Sequence, residues 1–251
     1  MLEEARREFP NSTENDFNLR LDYYSKRSTE VLRIWDDVFG ANKERVIGVI
    51  GPQGAFRLTG ERMLQYAWTD NPLSNKEYGI DAIGIAPYFG NYLGQPESQQ
   101  ELLSWTNDAD GGLSKLFDEI TQGGVLKSGF PYPGGALKQS YDWIESYAQL
   151  AQQKDLLLLG SEAGQSIRGY RGTENNDIIN NLFLKANRDE RMKDVYKQYF
   201  QKWHELGGDI VAHFNDVGRY DRFSNFGALE HINQPGSPKY DALLELLAPT
   251  T

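Results

Sequence analysis

DLLLLGSEAGQ, the stretch from Asp155 to Gln165, indicates the fold most directly. A short apolar run leads without a break into a single carboxylate, Glu162, which small residues flank on both sides. An uninterrupted apolar run of this length is typical of a parallel strand covered on both faces. A carboxylate beside such a strand is costly to bury unless it is paired, hydrogen-bonded or functional. Two interpretations of Glu162 are therefore open: a functional acid in an open site, or a residue that caps a helix or binds backbone amides.

Three more apolar runs predict strands, and helical patterns alternate with them. The four predicted strands are Arg45–Gly51, Ile80–Ala86, Leu156–Ser161 and the segment DIVAHFNDVG from Asp209 to Gly218. The predicted helices are Phe17–Phe39, Leu58–Trp68, Leu113–Ile120, Leu137–Ala151, Asn187–Leu206 and Pro238–Leu247. Apolar residues spaced by three, four and seven positions support the helices. The alternation predicts an α/β fold in which helical crossovers join parallel strands.

Each predicted strand ends in a polar or aromatic cluster. These clusters contain Gln53, then Tyr88 and Phe89, then Glu162 and Gln165, and finally His213, Asn215 and Asp216. Sites on parallel sheets and barrels gather at the carboxyl ends of the strands. The segment GPQGAFRLTG after the first strand fits neither a dinucleotide-binding motif nor a phosphate loop. The clusters therefore favour a site of another kind at the carboxyl edge.

Composition excludes several classes of function. The 251 residues are 39% hydrophobic and contain no cysteine and three histidines, which argues against thiol chemistry and a multi-histidine metal site. The net charge of −10 disfavours nucleic-acid binding. There is no apolar run of about 20 residues, and the charged N-terminus MLEEARREF predicts no signal peptide. The expectation is one domain over residues 1–251, with no cofactor, no metal and no membrane span.

Five segments together resemble one family. They are IDAIGIAPYFG, LLLGSEAGQ, LKANRDERMKDVYKQYFQKW, GGDIVAHFNDVG and FGALEHINQPGSPKYDAL. From about Tyr24 to Leu247, the chain looks like the C-terminal half of a bacterial glycoside hydrolase-like (β/α)8 barrel. The family is often found beside cellulose-binding modules and is similar to clan A of the retaining glycosidases. The resemblance implies a partial TIM barrel, a half-barrel made of strands five to eight with their helices.

The resemblance also implies a chemistry. Glu162 stands where the nucleophile ends strand seven, and Tyr88 matches a tyrosine at the end of strand six that would hold the nucleophile ionised and oriented. In a retaining glycosidase, a second carboxylate about 5 Å from the nucleophile protonates the leaving oxygen and later activates water. Side chains expected to bind sugar hydroxyls are Gln53, Gln165, His213 and Asn215. An alternative for His213 is a buried, hydrogen-bonded histidine.

The second carboxylate is missing from the matching segments. In the family it follows an asparagine at the end of strand four, and this sequence has no Asn–Glu pair in a strand context. Counted backwards from the last strand, only strands five to eight are found, so strands one to four would precede Met1 or be absent. Asp81 and Asp209 begin strands and lie at the wrong end. Asp216 and Glu230 follow the last strand and are internal candidates, although Glu230 also suits a structural or substrate-binding role.

Three functions are consistent with these observations. The first is a polysaccharide-acting retaining glycosidase whose general acid is absent from this chain. The alternative is a non-catalytic carbohydrate-binding or pseudoenzyme barrel fragment. The third is an interaction protein, because an open-sided set of four strands favours self-association or pairing with a missing N-terminal half-barrel. The resemblance implies that a parent enzyme would be exported.

Overall fold

A computed structural model describes residues 1–248 and shows an α/β protein built on a four-stranded parallel sheet in the order β1-β2-β3-β4. The strands are β1 Val49–Ile50, β2 Ala82–Ile85, β3 Leu157–Ala163 and β4 Val211–His213. The α-helices are α1 Leu2–Glu8, α2 Asp16–Phe39, α3 Arg57–Met63, α4 Gln99–Trp105, α5 Leu113–Thr121, α6 Gly135–Gln153, α7 Asp177–Arg188, α8 Arg191–Glu205 and α9 Pro238–Leu247. Short 3₁₀ turns span Gly40–Arg45, Lys76–Tyr78, Asn91–Gly94, Pro96–Ser98 and Thr173–Asn175.

The sheet has a continuous parallel register through its first three strands. Val49 pairs with Ala82, and Ala82 also pairs with Leu157. Two aspartates fix the amino ends of neighbouring strands: Asp81 Oδ2 accepts the amide of Gly48 at 2.9 Å, and Asp209 Oδ2 accepts that of Leu158 at 3.1 Å. Both carboxylates therefore have a structural role at the amino ends of strands, which agrees with their positions before the strands in the sequence.

The described residues form two compact units. The first contains Met1–Ala86, Glu145–Ser161 and Gly208–Ile210, and the second contains Pro87–Ile144, Glu162–Gly207 and the chain from Val211 onward. The prediction of one domain over residues 1–251 stays a prediction.

In the first unit, α2 confirms the longest predicted helix but buries an unexpected face. Leu19, Ser25 and Thr29 are buried, and Asp22 forms a bidentate ion pair with Arg62 at 2.6 and 2.7 Å. Four of the apolar residues whose spacing predicted this helix are exposed instead, namely Phe17, Val31, Trp35 and Val38. The apolar residues whose spacing predicted this helix therefore do not form its buried face, because the ion pair and small hydroxyl side chains form the contact with α3.

In the second unit, α7, α8 and α9 pack against one another and enclose an aromatic core. Tyr196, Tyr199 and Trp203 of α8 are fully buried, and Phe89 lies 5.1 Å from Tyr199 between ring centroids. The Tyr199 hydroxyl donates to the backbone oxygen of Pro87 at 2.9 Å. The segment that follows β2 is thereby fixed to α8, which matters because that segment carries Tyr88.

Several boundaries differ from those that the sequence predicted. The clearest correction concerns Asn187, which was expected to begin a helix but is buried near the end of α7, a helix predicted as loop. Strand β3 begins one residue later and ends two residues later than expected, so Glu162 lies within the strand. Strand β1 has only two residues, Val49 and Ile50, and the first residue of its predicted range, Arg45, belongs to the preceding 3₁₀ turn. Helix α9 matches its predicted bounds.

Within residues 1–248, no helix combines the length and the apolar character that crossing a membrane requires.

Candidate functional site

Tyr88 and Glu162 form the centre of the candidate site. Tyr88 follows β2, Glu162 lies near the carboxyl end of the neighbouring strand β3, and the Tyr88 hydroxyl donates to Glu162 Oε2 at 3.0 Å. Burial first, and then the nearby Glu162 carboxylate, raise the pKa of Tyr88 well above its usual range, so the phenol stays protonated and remains a donor. Glu162 is exposed to solvent. The pair predicted from the sequence is therefore brought together, with its carboxylate accessible.

An aromatic cluster adjoins this pair. The ring of Tyr88 lies 5.8 Å from that of Phe226 and 6.5 Å from that of Phe214, in edge-on arrangements. Phe214 follows β4 directly, and 39% of its surface is exposed. The Phe214–Asn215 peptide bond is cis. Phe214 and Phe226 were not among the site residues expected from the sequence. Phe214 was identifiable as an aromatic residue at a strand end, whereas nothing in the pattern marked Phe226.

The loops after β2 and β3 are held together by their backbones. The backbone amide of Phe89 donates to the backbone oxygen of Gly164, and the backbone amide of Ser166 donates to the backbone oxygen of Phe89 at 2.7 Å. Farther along, the amide of Tyr170 donates to Gly94 at 2.9 Å. A Cβ atom on Gly94 would lie 1.6 Å from the backbone oxygen of Arg168, so this approach requires glycine. The two loops thus form one paired framework that begins beside Tyr88 and Glu162.

Gln165 is fully buried and its amide is bound by the protein. Its Nε2 donates to the backbone oxygen and to Oδ1 of Asn225 at 2.9 and 3.0 Å, and its Oε1 accepts the amide of Ile167 at 2.6 Å. Asn225 in turn donates to the backbone oxygen of Ile167. A glutamine engaged in this way positions a loop, so we do not retain it among the sugar ligands expected from the sequence.

His213 directs its polar atoms into the protein. Its Nε2 lies 3.3 Å from the Tyr196 hydroxyl, and its buried Nδ1 has no hydrogen-bond partner within residues 1–248. Burial, and then the charge of Lys239, lower the pKa of His213 to about 3. The imidazole is therefore neutral at neutral pH. These contacts support the structural alternative for His213 rather than contact with a sugar.

The remaining predicted residues at strand ends have different surroundings. Asn215 donates through Nδ2 to the backbone oxygen of Val217 at 3.3 Å, while its buried Oδ1 lacks a partner in the described chain. Asp216 is exposed. Gln53 is also exposed but belongs to the first unit, where its backbone oxygen accepts the Tyr147 hydroxyl. Asn215 is thus the one predicted amide whose acceptor atom remains unsatisfied in the second unit.

Glu230 is committed to an ion pair. Arg188 binds both of its carboxylate oxygens at 2.6 Å, beside a cavity of about 310 Å³ that is also lined by Tyr220 and Asp241. The hydrogen bonds from Arg188 lower the pKa of Glu230. Because a general acid must hold a proton at working pH, this pairing opposes the use of Glu230 as the missing acid.

A buried lysine, Lys239, was missed by the sequence analysis. It is fully buried, donates to Asn187 Oδ1 at 3.1 Å and to the Asn225 backbone oxygen at 2.7 Å, and lies 4.3 Å from the centre of the Tyr220 ring. Burial lowers the pKa of Lys239 well below its usual range. Through Asn225, this lysine and Gln165 belong to one buried polar network. A lysine in the first turn of an amphipathic helix gives no sequence signal of such burial.

Nothing in the described part of the chain groups three or more metal-binding side chains in a suitable cluster. Comparison of the chain with protein-family models, with curated proteins and with solved structures finds no match.

Proposed function

We propose that this protein is glycoside hydrolase-like and acts on polysaccharide by a retaining mechanism, with Glu162 as the nucleophile. The observation that carries the proposal is the 3.0 Å hydrogen bond from Tyr88 to an exposed carboxylate, at the ends of two adjacent parallel strands. The proposal includes the architecture: the four strands would correspond to strands five to eight of a (β/α)8 barrel. The alternation of parallel strands and helices supports this assignment.

In the proposed reaction, the free oxygen of Glu162 attacks the anomeric carbon as the bond from that carbon to the leaving oxygen breaks. The electron pair of the broken bond leaves with the oxygen. When the leaving group is a sugar, this oxygen takes its proton from solvent water, because the proposal assigns no general acid in this chain. Water then attacks the glycosyl ester, loses a proton to solvent or to a base, and releases the sugar with Glu162 regenerated. Tyr88 would fix one carboxylate oxygen and so orient the other.

The test uses a substrate that needs no general acid. A 2,4-dinitrophenyl 2-deoxy-2-fluoro-β-glycoside has a leaving group that departs as a stable phenolate, and its fluorine slows hydrolysis of the ester. We expect a covalent glycosyl adduct in the intact-protein mass, located on Glu162 by peptide mapping. A panel of glucosyl, xylosyl and mannosyl reagents covers the sugars of common polysaccharides.

Two variants control this experiment. Glu162→Gln removes the nucleophile and should abolish labelling, whereas Glu145→Gln, which changes an exposed carboxylate on α6, should leave it intact. Labelling that persists in Glu162→Gln, or that maps to another residue, would show that Glu162 is not the nucleophile. Absence of labelling with every reagent would oppose the catalytic proposal as a whole.

The second candidate function is carbohydrate binding without turnover. It is favoured by the ion pair between Arg188 and Glu230, which occupies one of the two internal candidates for the acid. Saturable binding of oligosaccharides with no adduct and no hydrolysis would support this function over the first. The two functions share the same polysaccharide ligand class, so they differ in chemistry rather than in partner.

A further inference from the structure

A further feature of the second unit is a cavity of about 400 Å³ that is lined by aromatic and amide side chains. Its lining residues are Asn91, Tyr92, Gln95, Phe130, Tyr170 and Arg171. Pockets for organic ligands typically combine aromatic walls with a few placed polar groups. The set here combines three aromatic rings, two neutral amides and one guanidinium, with no carboxylate, in a chain of net charge −10.

We infer that this cavity is a distal subsite that binds a pyranose unit of a neutral polysaccharide chain. The inference rests on the proposed function, because it extends the same site along the same ligand. A pyranose ring presents C–H bonds on its faces and hydroxyls at its edge. The C–H faces suit aromatic rings, and the hydroxyls suit amide groups, which donate and accept hydrogen bonds, and a guanidinium group, which donates them.

The amide pair is arranged to bind such hydroxyls. Gln95 Nε2 donates to Asn91 Oδ1 at 3.0 Å, which fixes the two side chains relative to each other. This bond leaves the carbonyl oxygen of Gln95 and the amide group of Asn91 without another protein partner among the described residues. One free acceptor beside one free donor matches adjacent hydroxyls of a sugar. Arg171, which is exposed and has a positive φ of 52°, adds further donors at the rim.

Phe130 is 66% exposed, yet the loop that carries it is anchored. The buried carboxylate of Glu119 accepts the amides of Val125 and Leu126, each at 2.9 Å, and also the hydroxyl of Tyr92 at 2.7 Å. One carboxylate therefore fixes both a wall of the cavity and the chain leading to Phe130. An aromatic residue on an anchored loop costs less conformational entropy to order against a ligand than one on a free loop.

The cavity lies on the same loop framework as the central pair. Asn91 follows Tyr88 by three residues, which span at most about 11 Å. On the other loop, Tyr170 is fixed to Gly94 by its backbone amide, and the Arg168 guanidinium stacks 4.1 Å from the centre of the Tyr170 ring. A chain of sugars bound at Glu162 would therefore have to extend by only a few units to reach the cavity.

The test compares oligosaccharides of different length. The probes are cellohexaose, xylohexaose and mannohexaose with their matching disaccharides, titrated by calorimetry into wild type and into Glu162→Gln, which cannot turn them over by the proposed route. We expect at least one hexasaccharide to bind about tenfold more tightly than its disaccharide. Phe130→Ala should remove most of this advantage of length, and the control Phe223→Ala should retain it, because Phe223 is 56% exposed but does not line the cavity.

Equal affinity for short and long probes, or equal effects of the two phenylalanine substitutions, would overturn the inference. Failure of all three hexasaccharides to bind would also overturn it. The outcome is separable from that of the covalent labelling. Length-dependent binding that needs Phe130, without any adduct on Glu162, would preserve the subsite and reject catalysis. An adduct on Glu162 without length-dependent binding would support catalysis and reject the subsite.

Discussion

His213→Phe is expected to reduce the loss of folding stability on acidification. Burial, together with the charge of Lys239, lowers the pKa of His213 to about 3 in the folded protein, whereas an unfolded histidine titrates near pH 6.5. Between these two values the unfolded chain binds a proton that the folded chain does not. The free energy of unfolding therefore rises with pH in this window, and the contribution is lost as the pH falls from about 6.5 toward 3.

The magnitude follows from the two pKa values. At pH 5 the unfolded imidazole is almost fully protonated and the buried one is neutral, which costs about 2 kcal/mol of stability relative to pH 7. Phenylalanine keeps a ring against Tyr196 and Phe200 but does not titrate. Loss of the Tyr196 contact at Nε2 lowers stability equally at every pH, so it does not affect the difference.

The assay is urea unfolding of wild type and His213→Phe at pH 5, 6 and 7, followed by tryptophan fluorescence. Carboxylates that titrate near pH 5 are present in both proteins, and their contribution cancels. His204→Gln, at an exposed histidine, measures the effect of removing a solvent-facing imidazole. If wild type and His213→Phe lose stability in parallel, to within about 0.5 kcal/mol, the burial and neutrality of His213 are refuted.

Three further predictions concern the site, its framework and the exposed helix. Tyr88→Phe removes a hydrogen bond to a carboxylate worth about 1.5 kcal/mol, so labelling of Glu162 should slow about tenfold, and an unchanged rate constant would contradict the orienting role. Gly94→Ala forces a methyl group against the Arg168 backbone oxygen and should lower the free energy of unfolding by roughly 3 kcal/mol; urea midpoints equal to wild type would refute the close approach. Val38→Lys, at a position 71% exposed, should weaken self-association in sedimentation velocity, and a wild type that is monomeric at all concentrations would contradict the expected association.

The elements that the sequence predicted well are those whose signal is local. Each of these signals is contained in one continuous segment of the chain: the apolar run of β2, the apolar periodicity of α8, and the serine and proline at the start of α9. The pairing of Tyr88 with Glu162 was implied by the resemblance, and parallel topology agrees with it, because the carboxyl ends of neighbouring parallel strands meet at one edge.

The roles that the sequence could not assign depend on contacts between distant segments. Gln165 and Asn225 are 60 residues apart, and Lys239 reaches the same Asn225 backbone from a third segment. No periodicity marks such a network, so Gln165 was expected to bind sugar although its amide is engaged inside the protein. The buried face of α2 could not be predicted for a related reason. A bidentate ion pair between Asp22 and Arg62, a residue of another helix, makes a polar face of α2 the buried one.

Glu162, the proposed nucleophile, and Glu230, which the sequence offered as an internal candidate for the acid, differ in the charge of their partners, and this difference bears on function. Glu230 is bound on both oxygens by the cation Arg188, an arrangement that compensates its charge and occupies its lone pairs. Glu162 receives a hydrogen bond from the neutral phenol of Tyr88 on one oxygen and remains exposed. A neutral donor orients a carboxylate without cancelling its charge, so the second oxygen keeps both its negative charge and its access to a ligand. A structural ion pair needs the first arrangement, whereas a nucleophile needs the second.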